Sequence, residues 1–275
     1  MPSPSLATRF RTALVTGAGS GLGLAFAEML LAEGVEVWGT SRHPERLPVR
    51  ERFHPLRLDL ADGETAADSL LVQLEHESGG LDLLVHNAGY GVFGGVLDQP
   101  LSVWRAQIDQ MLGVSLALNR GAFAAMGARG KGTIVNITSL AVEFPIPLLS
   151  GYNVAKAGLA ALSESLMLEA QGRGITVIDF RPGDYRTEFN NAMFAVPHTT
   201  LPERAQRVVR RLEATFAAAP LPSRAAVDLR RALLRGRPGV VRSGSFFQTV
   251  LAPLGARIAP LSLRRAVLAR YFGIR

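Results

Sequence analysis

The sequence contains no cysteine among its 275 residues. Disulfides, thiolate nucleophiles and cysteine-ligated metals are therefore excluded, and we expect no bound metal. The absence of thiols fits a reducing compartment, so we expect a cytoplasmic location.

Long apolar runs are missing as well. No stretch reaches the roughly 18 uninterrupted apolar residues that indicate a membrane-spanning helix. The opening residues, MPSPSLATRF, lack the apolar core of a signal peptide. We therefore expect neither a spanning helix nor a secretory signal.

Acidic residues are scarce in the last part of the chain. From Leu201 onward there are 15 arginines and 3 acidic residues, whereas the first 200 residues carry 15 basic and 20 acidic side chains. A uniformly basic chain would indicate nucleic acid as a partner. Here the tail arginines alternate with Leu and Ala and lack interleaved aromatics, so we expect no nucleic-acid binding. An anionic membrane surface is the partner that such a local basic segment suggests.

Strand-like and helix-like segments alternate along most of the chain. Apolar helical patterns follow the first strand up to Gly34 and cover 63–78, 101–128 and 150–172. Short apolar runs predict strands beginning at Thr12 and over 35–42, 53–62, 81–89, 132–139, 174–183 and 238–244. This alternation predicts a Rossmann-like, doubly wound parallel α/β sheet with ligands beyond the C-terminal ends of its strands.

The length and a hydrophobic fraction of 48% suit one large α/β domain or two small ones. No internal repeat or long linker divides the chain, so we expect one domain over 1–275, with its core at about 10–190 and 235–245. Residues 187–222 break the alternation and predict a loop and a helix that cover the substrate as a lid. Residues 246–275 form a basic, helical C-terminal extension.

Two interpretations of this extension stay open. It lies flat on a membrane with its Arg side chains outward and its Leu, Val and Phe side chains in the lipid. Alternatively, it is an ordinary amphipathic helix folded over the core or onto a sister subunit.

The stretch TGAGSGLG places Gly17, Gly19, Gly21 and Gly23 between a strand and a helix. Glycine lets the backbone approach a pyrophosphate, and the N-terminus of a helix offers free N–H groups and partial positive charge. In this strand–turn–helix context the glycines predict a dinucleotide site.

The end of the second strand indicates which dinucleotide binds. NAD sites carry an acidic residue there, which binds the ribose 2′-OH. This chain has Thr40, Ser41 and Arg42 instead. A hydroxyl beside a guanidinium suits a 2′-phosphate, so we expect NADPH/NADP to be preferred over NADH.

Tyr152 and Lys156 lie four residues apart at the start of a predicted helix. Their side chains therefore share one face, and the ammonium is expected to lower the pKa of the phenol. Such a phenol donates or accepts a proton near neutral pH. The alternative is a surface tyrosine beside a solvated lysine.

Five motifs occur together in one order: TGAGSGLG, NAG at 87–89, ITS ending at Ser139, YNVAK at 152–156 and PGDYRT at 182–187. In order and spacing they resemble the short-chain dehydrogenase/reductase family, over about residues 10–190. The resemblance implies an oxidoreductase with a Rossmann fold and a nicotinamide cofactor.

The resemblance also implies a role for each matching residue. Ser139 would bind the substrate carbonyl oxygen, Tyr152 would be the catalytic acid/base, and Lys156 would lower the pKa of Tyr152 and hold the nicotinamide ribose. Asp59 would contact the adenine and Thr187 the nicotinamide carboxamide. The implied cofactor-binding residues are Gly17, Gly19, Ser20, Gly21, Leu22, Gly23, Ser41, Arg42, Asp59, Leu60, Asn87, Ala88, Gly89, Tyr152, Lys156, Pro182, Gly183 and Thr187.

One position departs from the family pattern. Where the family usually has an Asn in the long helix, linked to a helix distortion and a water relay to the Lys, this chain has Met111. A thioether is a weak acceptor and has no N–H, so we expect slower or pH-shifted turnover, although the backbone carbonyl remains available to a water. Asn119 lies two turns further on and is no substitute.

Apolar segments surround the expected substrate pocket, at 90–95 and 144–149 and at Phe189, Met193, Phe194 and Val196. Few charges are nearby, Arg186 and His198 among them. An apolar pocket favours a hydrophobic ketone, aldehyde or secondary alcohol, and the tail resembles members of the family that act on lipids, steroids or retinoids.

The alternative to an active enzyme is a catalytically weak NADPH-binding sensor or scaffold, which Met111 alone supports. The resemblance further implies a homodimer or homotetramer assembled through the helices at 101–128 and 150–172.

Overall fold

A seven-stranded parallel sheet forms the centre of the molecule. The structure is a computed structural model that describes residues 5–193 and 201–274. The strand order is β3-β2-β1-β4-β5-β6-β7, which confirms the predicted doubly wound sheet. The strands are β1 (Thr12–Val15), β2 (Glu36–Ser41), β3 (Phe53–Arg57), β4 (Leu83–His86), β5 (Gly132–Ile137), β6 (Ile175–Pro182) and β7 (Gly239–Ser243).

Helices connect the strands and extend beyond the last one. They are α1 (Gly21–Ala32), α2 (Gly63–Ser78), α3 (Leu101–Ile108), α4 (Val114–Arg129), α5 (Ser150–Glu169), α6 (Glu188–Met193), α7 (Glu203–Ala217), α8 (Pro222–Arg235), α9 (Ala252–Ile258) and α10 (Leu261–Tyr271). The sequence analysis missed α8, which begins with a proline and ends at Gly236 in a left-handed conformation.

Both faces of the sheet are buried, which explains why the strands read as continuous apolar runs. Successive strand residues point to opposite faces. Ala13 and Val15 pack with α1 and α8, whereas Leu14 between them packs with α2 and α4. The ring of Phe180 on β6 packs edge to face against the ring of Phe26 on α1, with 5.8 Å between their centres. This contact connects the first crossover helix to a strand in the other half of the sheet.

The prediction of one continuous helix over 101–128 is wrong. A π-helical turn at Asp109–Gly113 separates α3 from α4 and contains Met111. A π turn inserts one extra residue into the helical repeat and marks functional sites more often than chance. The distortion that the family links to an Asn is therefore present here with a Met.

The lid segment and the C-terminal extension pack on each other. The lid begins with the short helix α6, where a loop was expected, and continues into α7. Phe194, Val196 and His198 lie outside the described residues. Leu212 of α7 packs in a separate apolar cluster with Phe272, which follows α10. The extension thus folds back over its own chain through a π-helical turn (Phe247–Leu251), α9 and α10. None of the described helices combines the length and the apolar character needed to cross a membrane.

Candidate active site

The turn after β1 brings backbone N–H groups to the C-terminal edge of the sheet. Gly17 and Gly21 have φ angles of 68° and 54°, a region that favours glycine. Gly23 serves a packing purpose, because a Cβ there would lie 2.1 Å from the Gly17 carbonyl oxygen. Thr40 holds the turn by accepting a hydrogen bond from the Gly17 N–H at 3.1 Å. The N-terminus of α1 therefore faces the space above the strands.

One cavity of about 1260 Å³ occupies that space. Sites for a single small ligand are about 300–1,000 Å³, so this cavity is large enough for a dinucleotide and a second molecule. Its wall contains all the residues that the sequence analysis assigned to catalysis and cofactor binding except Gly23, which lies behind the turn.

The cavity end near β2 is basic. Arg42, His43 and Arg46 line it, and Arg42 is exposed. The Ser41 hydroxyl accepts a hydrogen bond from the His43 N–H at 3.0 Å, which fixes the turn. The sequence analysis missed His43 and Arg46, whose position is set by the short turn that follows β2. Asp59, across the cavity, caps its own turn by accepting from the Ala61 N–H at 3.0 Å.

Ser139, Tyr152 and Lys156 meet at the middle of the cavity. Ser139 follows β5, whereas Tyr152 and Lys156 lie in the first two turns of α5. The Lys156 Nζ donates to the Ile137 carbonyl oxygen at 2.7 Å and lies 5.9 Å from the centre of the Tyr152 ring. The Ser139 side chain lies near the Tyr152 phenol and lines the same cavity. The structure thus brings together the three residues that the sequence predicted.

Burial controls the acidity of this group. Desolvation raises the pKa of Tyr152 above its ordinary value, and the charge of Asp184 adds to this effect, while the nearby Ser139 side chain opposes it. The net pKa of Tyr152 is therefore raised, and not lowered as its pairing with Lys156 predicted. Lys156 is also buried, and desolvation lowers its pKa to about 8, against the opposing charge of Asp179.

A buried hydrogen-bond chain that sequence reasoning missed runs behind Lys156. The Thr16 hydroxyl accepts from the N–H groups of Asn87 and Ala88, each at 2.9 Å, so its own proton is left for the Nδ1 of His86 at 3.3 Å. The Nε2 of His86 then donates to the Ser115 hydroxyl at 2.6 Å. Desolvation and the nearby Lys156 lower the pKa of His86 to about 3, so the ring is neutral.

The chain ends in the π turn. The Ser115 hydroxyl donates to the Met111 carbonyl oxygen. The Met111 side chain is buried, with its methyl end packed against Gly89. Asn119 donates to the Ser115 carbonyl oxygen at 2.9 Å and to Asn136 at 3.0 Å, so its amide is engaged elsewhere.

An ion-pair cluster supports the strand ends beside Ser139. Asp179 on β6 is buried and accepts hydrogen bonds from the Thr138 hydroxyl and from Arg181. Arg181 and Arg242 both donate to Glu143, at 2.9 and 2.8 Å. In the sequence, the only sign of this cluster is Asp179, an acidic residue inside the otherwise apolar run of β6.

The other half of the cavity is apolar and is closed by the lid and the extension. Arg186 lies outside this cavity, on a neighbouring groove. Asp184, Gln248 and Arg264 are polar groups among the apolar side chains there. Those apolar side chains include Phe144, Ile146, Leu149, Phe189, Met193, Leu212, Phe216, Leu251, Leu263, Val267, Leu268 and Phe272.

Comparison with known proteins gives a consistent result. A family model described as short chain dehydrogenase matches residues 11–196. The chain is 33% identical to a serine 3-dehydrogenase of Rhizobium radiobacter, over 65% of this chain and 73% of that protein. It is 31% identical to an NADPH-dependent 3-dehydrocapnine reductase of Ornithobacterium rhinotracheale, over 65% of this chain and 66% of that protein. The crystal structure of a short-chain dehydrogenase from Streptomyces avermitilis superposes with a TM-score of 0.79 at 27% identity, covering 94% of this chain and 97% of that one.

The aligned segments cover 60% to 74% of the lengths of the curated relatives. The lid and the extension account for most of the sequence outside the match, and they contribute most of the apolar lining of the cavity.

Proposed function

The chain belongs to the short-chain dehydrogenase family of oxidoreductases, and we propose that it is an NADPH-dependent enzyme that reduces the carbonyl group of a hydrophobic substrate or oxidises the corresponding alcohol. One observation carries this proposal. Ser139, Tyr152 and Lys156 meet at the junction between a glycine-rich dinucleotide cradle and an apolar half-cavity. This is the position at which a cofactor and an apolar substrate would react.

The residues present fit a nicotinamide dinucleotide phosphate. Two glycines with positive φ angles and the N-terminus of α1 offer N–H groups to a pyrophosphate. Arg42, with His43 and Arg46 beside it, offers positive charge to a 2′-phosphate where NAD sites carry a carboxylate. The name of the related 3-dehydrocapnine reductase, which specifies NADPH, supports the same choice.

The chain's own side chains perform the proton chemistry. The bound cofactor supplies the hydride. Negative charge then grows on the substrate oxygen, where Ser139 donates a hydrogen bond and Tyr152 delivers its proton. Lys156, held by the Ile137 carbonyl, stabilises the tyrosinate that remains. Because burial raises the pKa of Tyr152, the phenol is protonated before the reaction and is ready to act as an acid.

The substrate class follows from the lining of the cavity. Aromatic and aliphatic side chains from the lid and from α10 form most of the wall beyond Tyr152. Binding there removes apolar surface from water, which favours a ligand with an extended apolar part. A panel of apolar ketones and aldehydes, with NADPH consumption as the readout, tests the proposal. If NADPH binds and none is consumed, the alternative of a sensor or scaffold replaces it.

The extension presents an apolar surface to solvent beside the substrate half of the cavity. We call the following exposed side chains, which lie outside the cavity lining, the tail patch: Phe246, Val250, Leu254, Ile258 and Leu261. The sequence has no acidic residue after Asp228 and carries five arginines between Phe246 and Arg275. We propose that this patch contacts an anionic membrane surface, because apolar burial and positive charge act together there.

Helices α4 and α5 offer a second exposed apolar surface. Leu116 on α4 and both Val154 and Leu168 on α5 are exposed. We propose that a homo-oligomer forms through these two helices, where apolar side chains from equivalent surfaces meet.

A further inference from the structure

Asp184 is a carboxyl group in the apolar half of the cavity. It lies two residues after Pro182, the last residue of β6, and lines the same cavity as Tyr152. No salt bridge among the described residues involves it. Asp184 is half-buried, and a carboxylate that is shielded from water without a cationic partner favours a ligand that supplies a donor.

Gln248 fixes the orientation of this carboxyl group. Its amide nitrogen donates to Asp184 Oδ2, and its amide oxygen accepts from the N–H and the hydroxyl of Ser245, each at 3.3 Å. Because both ends of the amide are engaged, the amide cannot turn over without losing these bonds. The second carboxyl oxygen of Asp184 has no hydrogen bond within the described residues.

The slot that holds Gln248 depends on two glycines. A Cβ at Gly183 would lie 2.8 Å from the Gln248 amide oxygen, and a Cβ at Gly244 would lie 2.9 Å from it. Gln248 belongs to the π-helical turn at the start of the extension. The extension therefore contributes a polar group to the cavity in addition to its apolar wall.

The carboxyl group also lies close to the reacting end of the cavity. Its charge is near enough to raise the pKa of Tyr152 and that of Tyr271 on α10. A ligand that reaches Tyr152 with its carbonyl thus passes within reach of Asp184.

We propose that Asp184, oriented by Gln248, binds a hydrogen-bond donor carried by an otherwise apolar substrate, namely a hydroxyl or an ammonium group close to the reacting carbonyl. This proposal rests on the proposed function, because the same cavity takes the substrate. It narrows the substrate from a hydrophobic carbonyl compound to one with a second, donating polar group. Asp184 is then a specificity residue, and Gln248 is a positioning residue.

Calorimetric binding of three probes to the protein–NADPH complex, in which an alcohol cannot be oxidised, tests the proposal without requiring turnover. The probes are 1-decanol, decylammonium and decyl methyl ether, which share an apolar chain and differ in their ability to donate. The parent protein is expected to bind the alcohol, the ammonium or both at least about tenfold more tightly than the ether, the ratio expected for one hydrogen bond to a charged group. The probe that binds more tightly than the ether shows whether Asp184 prefers a hydroxyl or an ammonium group.

Asp184→Asn is expected to abolish this preference. Gln248 still donates to the remaining oxygen, so the new amide turns its NH₂ group toward the cavity, where it favours the ether and repels the ammonium. Gln248→Leu is the second variant, expected to reduce the preference by leaving the carboxyl group unoriented. Glu188→Gln is the matched control, since Glu188 is exposed at the cavity rim, and it should leave the order of the probes unchanged.

Equal affinities of the parent for the three probes, failure of all three to bind, or a preference that survives in Asp184→Asn would overturn the proposal. Failure of the proposed function has a different signature. In that case the donor preference is present, but no apolar ketone, with or without a hydroxyl or amino group near its carbonyl, causes oxidation of NADPH.

Discussion

His86 Nε2 lies 2.6 Å from the Ser115 hydroxyl, and this contact joins the end of β4 to the first turn of α4, where Ser115 donates to the Met111 carbonyl oxygen of the π turn. The neutral ring accepts a hydrogen bond from the Thr16 hydroxyl at Nδ1 and donates one to the Ser115 hydroxyl from Nε2. The Met111 carbonyl is thereby held by side chains of this protein at the place where the family usually has an Asn. The π turn keeps its shape through a backbone acceptor and a buried network, without an amide side chain.

Ser115→Ala should lower the free energy of unfolding by about 1–3 kcal/mol, because it leaves the buried Nε2–H of His86 without an acceptor. Chemical denaturation measures this loss. Ser165→Ala is the matched control, since Ser165 is exposed and also donates to the carbonyl one turn before it. The control should change the stability by no more than about 0.5 kcal/mol. Equal effects of the two substitutions would show that the His86 contact contributes nothing.

Lys156→Met should abolish turnover and yet stabilise the protein at pH 7. The ammonium is 5% exposed, and its pKa falls from 10.5 in the unfolded chain to about 8 in the folded one. At pH 7 the charged Lys156 therefore lowers the free energy of unfolding by an amount on the order of 3 kcal/mol. An uncharged methionine at this position does not carry this penalty.

The pH dependence gives the sign of this effect. The folded protein releases the Lys156 proton near pH 8, whereas the unfolded chain keeps it until about pH 10.5. The parent thus gains stability relative to Lys156→Met as the pH rises through this window. Denaturation of both proteins at pH 7, 9 and 10.5 measures the gap, and a gap that stays constant contradicts the account.

Arg42→Asp should shift the cofactor preference toward NADH. The carboxylate repels a 2′-phosphate and accepts from a ribose 2′-OH, so the ratio of kcat/KM for NADPH over NADH should fall by about 10- to 100-fold. Arg50→Asp is the control, because Arg50 pairs with Glu28 on the neighbouring surface. If Arg42→Asp and the control leave the same ratio, Arg42 does not select the cofactor.

Leu254→Glu combined with Ile258→Glu should reduce binding to anionic vesicles. Both side chains are exposed parts of the tail patch, so the fold should tolerate the change. Flotation with vesicles of phosphatidylglycerol and phosphatidylcholine measures the loss. Val49→Glu serves as the control, because Val49 is fully exposed and lies outside the tail patch. Unchanged flotation of the double variant, or no flotation of the parent, removes the membrane proposal.

The sheet and its central site were predictable because their signals are local. The inner strands β1 and β4 are short, buried and mostly apolar runs. The glycine-rich turn is visible in the sequence, and the positive φ angles of Gly17 and Gly21 explain why glycine stands there. Helical spacing placed Tyr152 and Lys156 on one face, but only the accompanying family motifs indicated that they act as a catalytic pair. The sequence did not predict the direction of the pKa change at Tyr152. Burial of the phenol is the largest cause of that change, and burial depends on the lid and the extension.

The features that were missed depend on tertiary contacts. The π turn at 109–113 has no distinctive composition, and its hydrogen-bonded contacts reach through Ser115 to His86, far away in sequence. Gln248 reaches Asp184 across 64 positions of sequence, so no local pattern indicates it. Helix α8 was different, since Pro222 at its first turn and Gly236 at its end are recognisable boundary signals.

The most direct test of the account is NADPH consumption with apolar ketones and aldehydes by the parent, Tyr152→Phe and Tyr185→Phe. Tyr185 is buried beside the same cavity, but its hydroxyl bonds to Ser243, so it controls for the loss of a buried phenol. The account predicts turnover by the parent and by Tyr185→Phe, with a loss of about 100-fold or more in Tyr152→Phe. Turnover that survives in Tyr152→Phe, or NADPH binding by the parent without consumption on any compound, would contradict it.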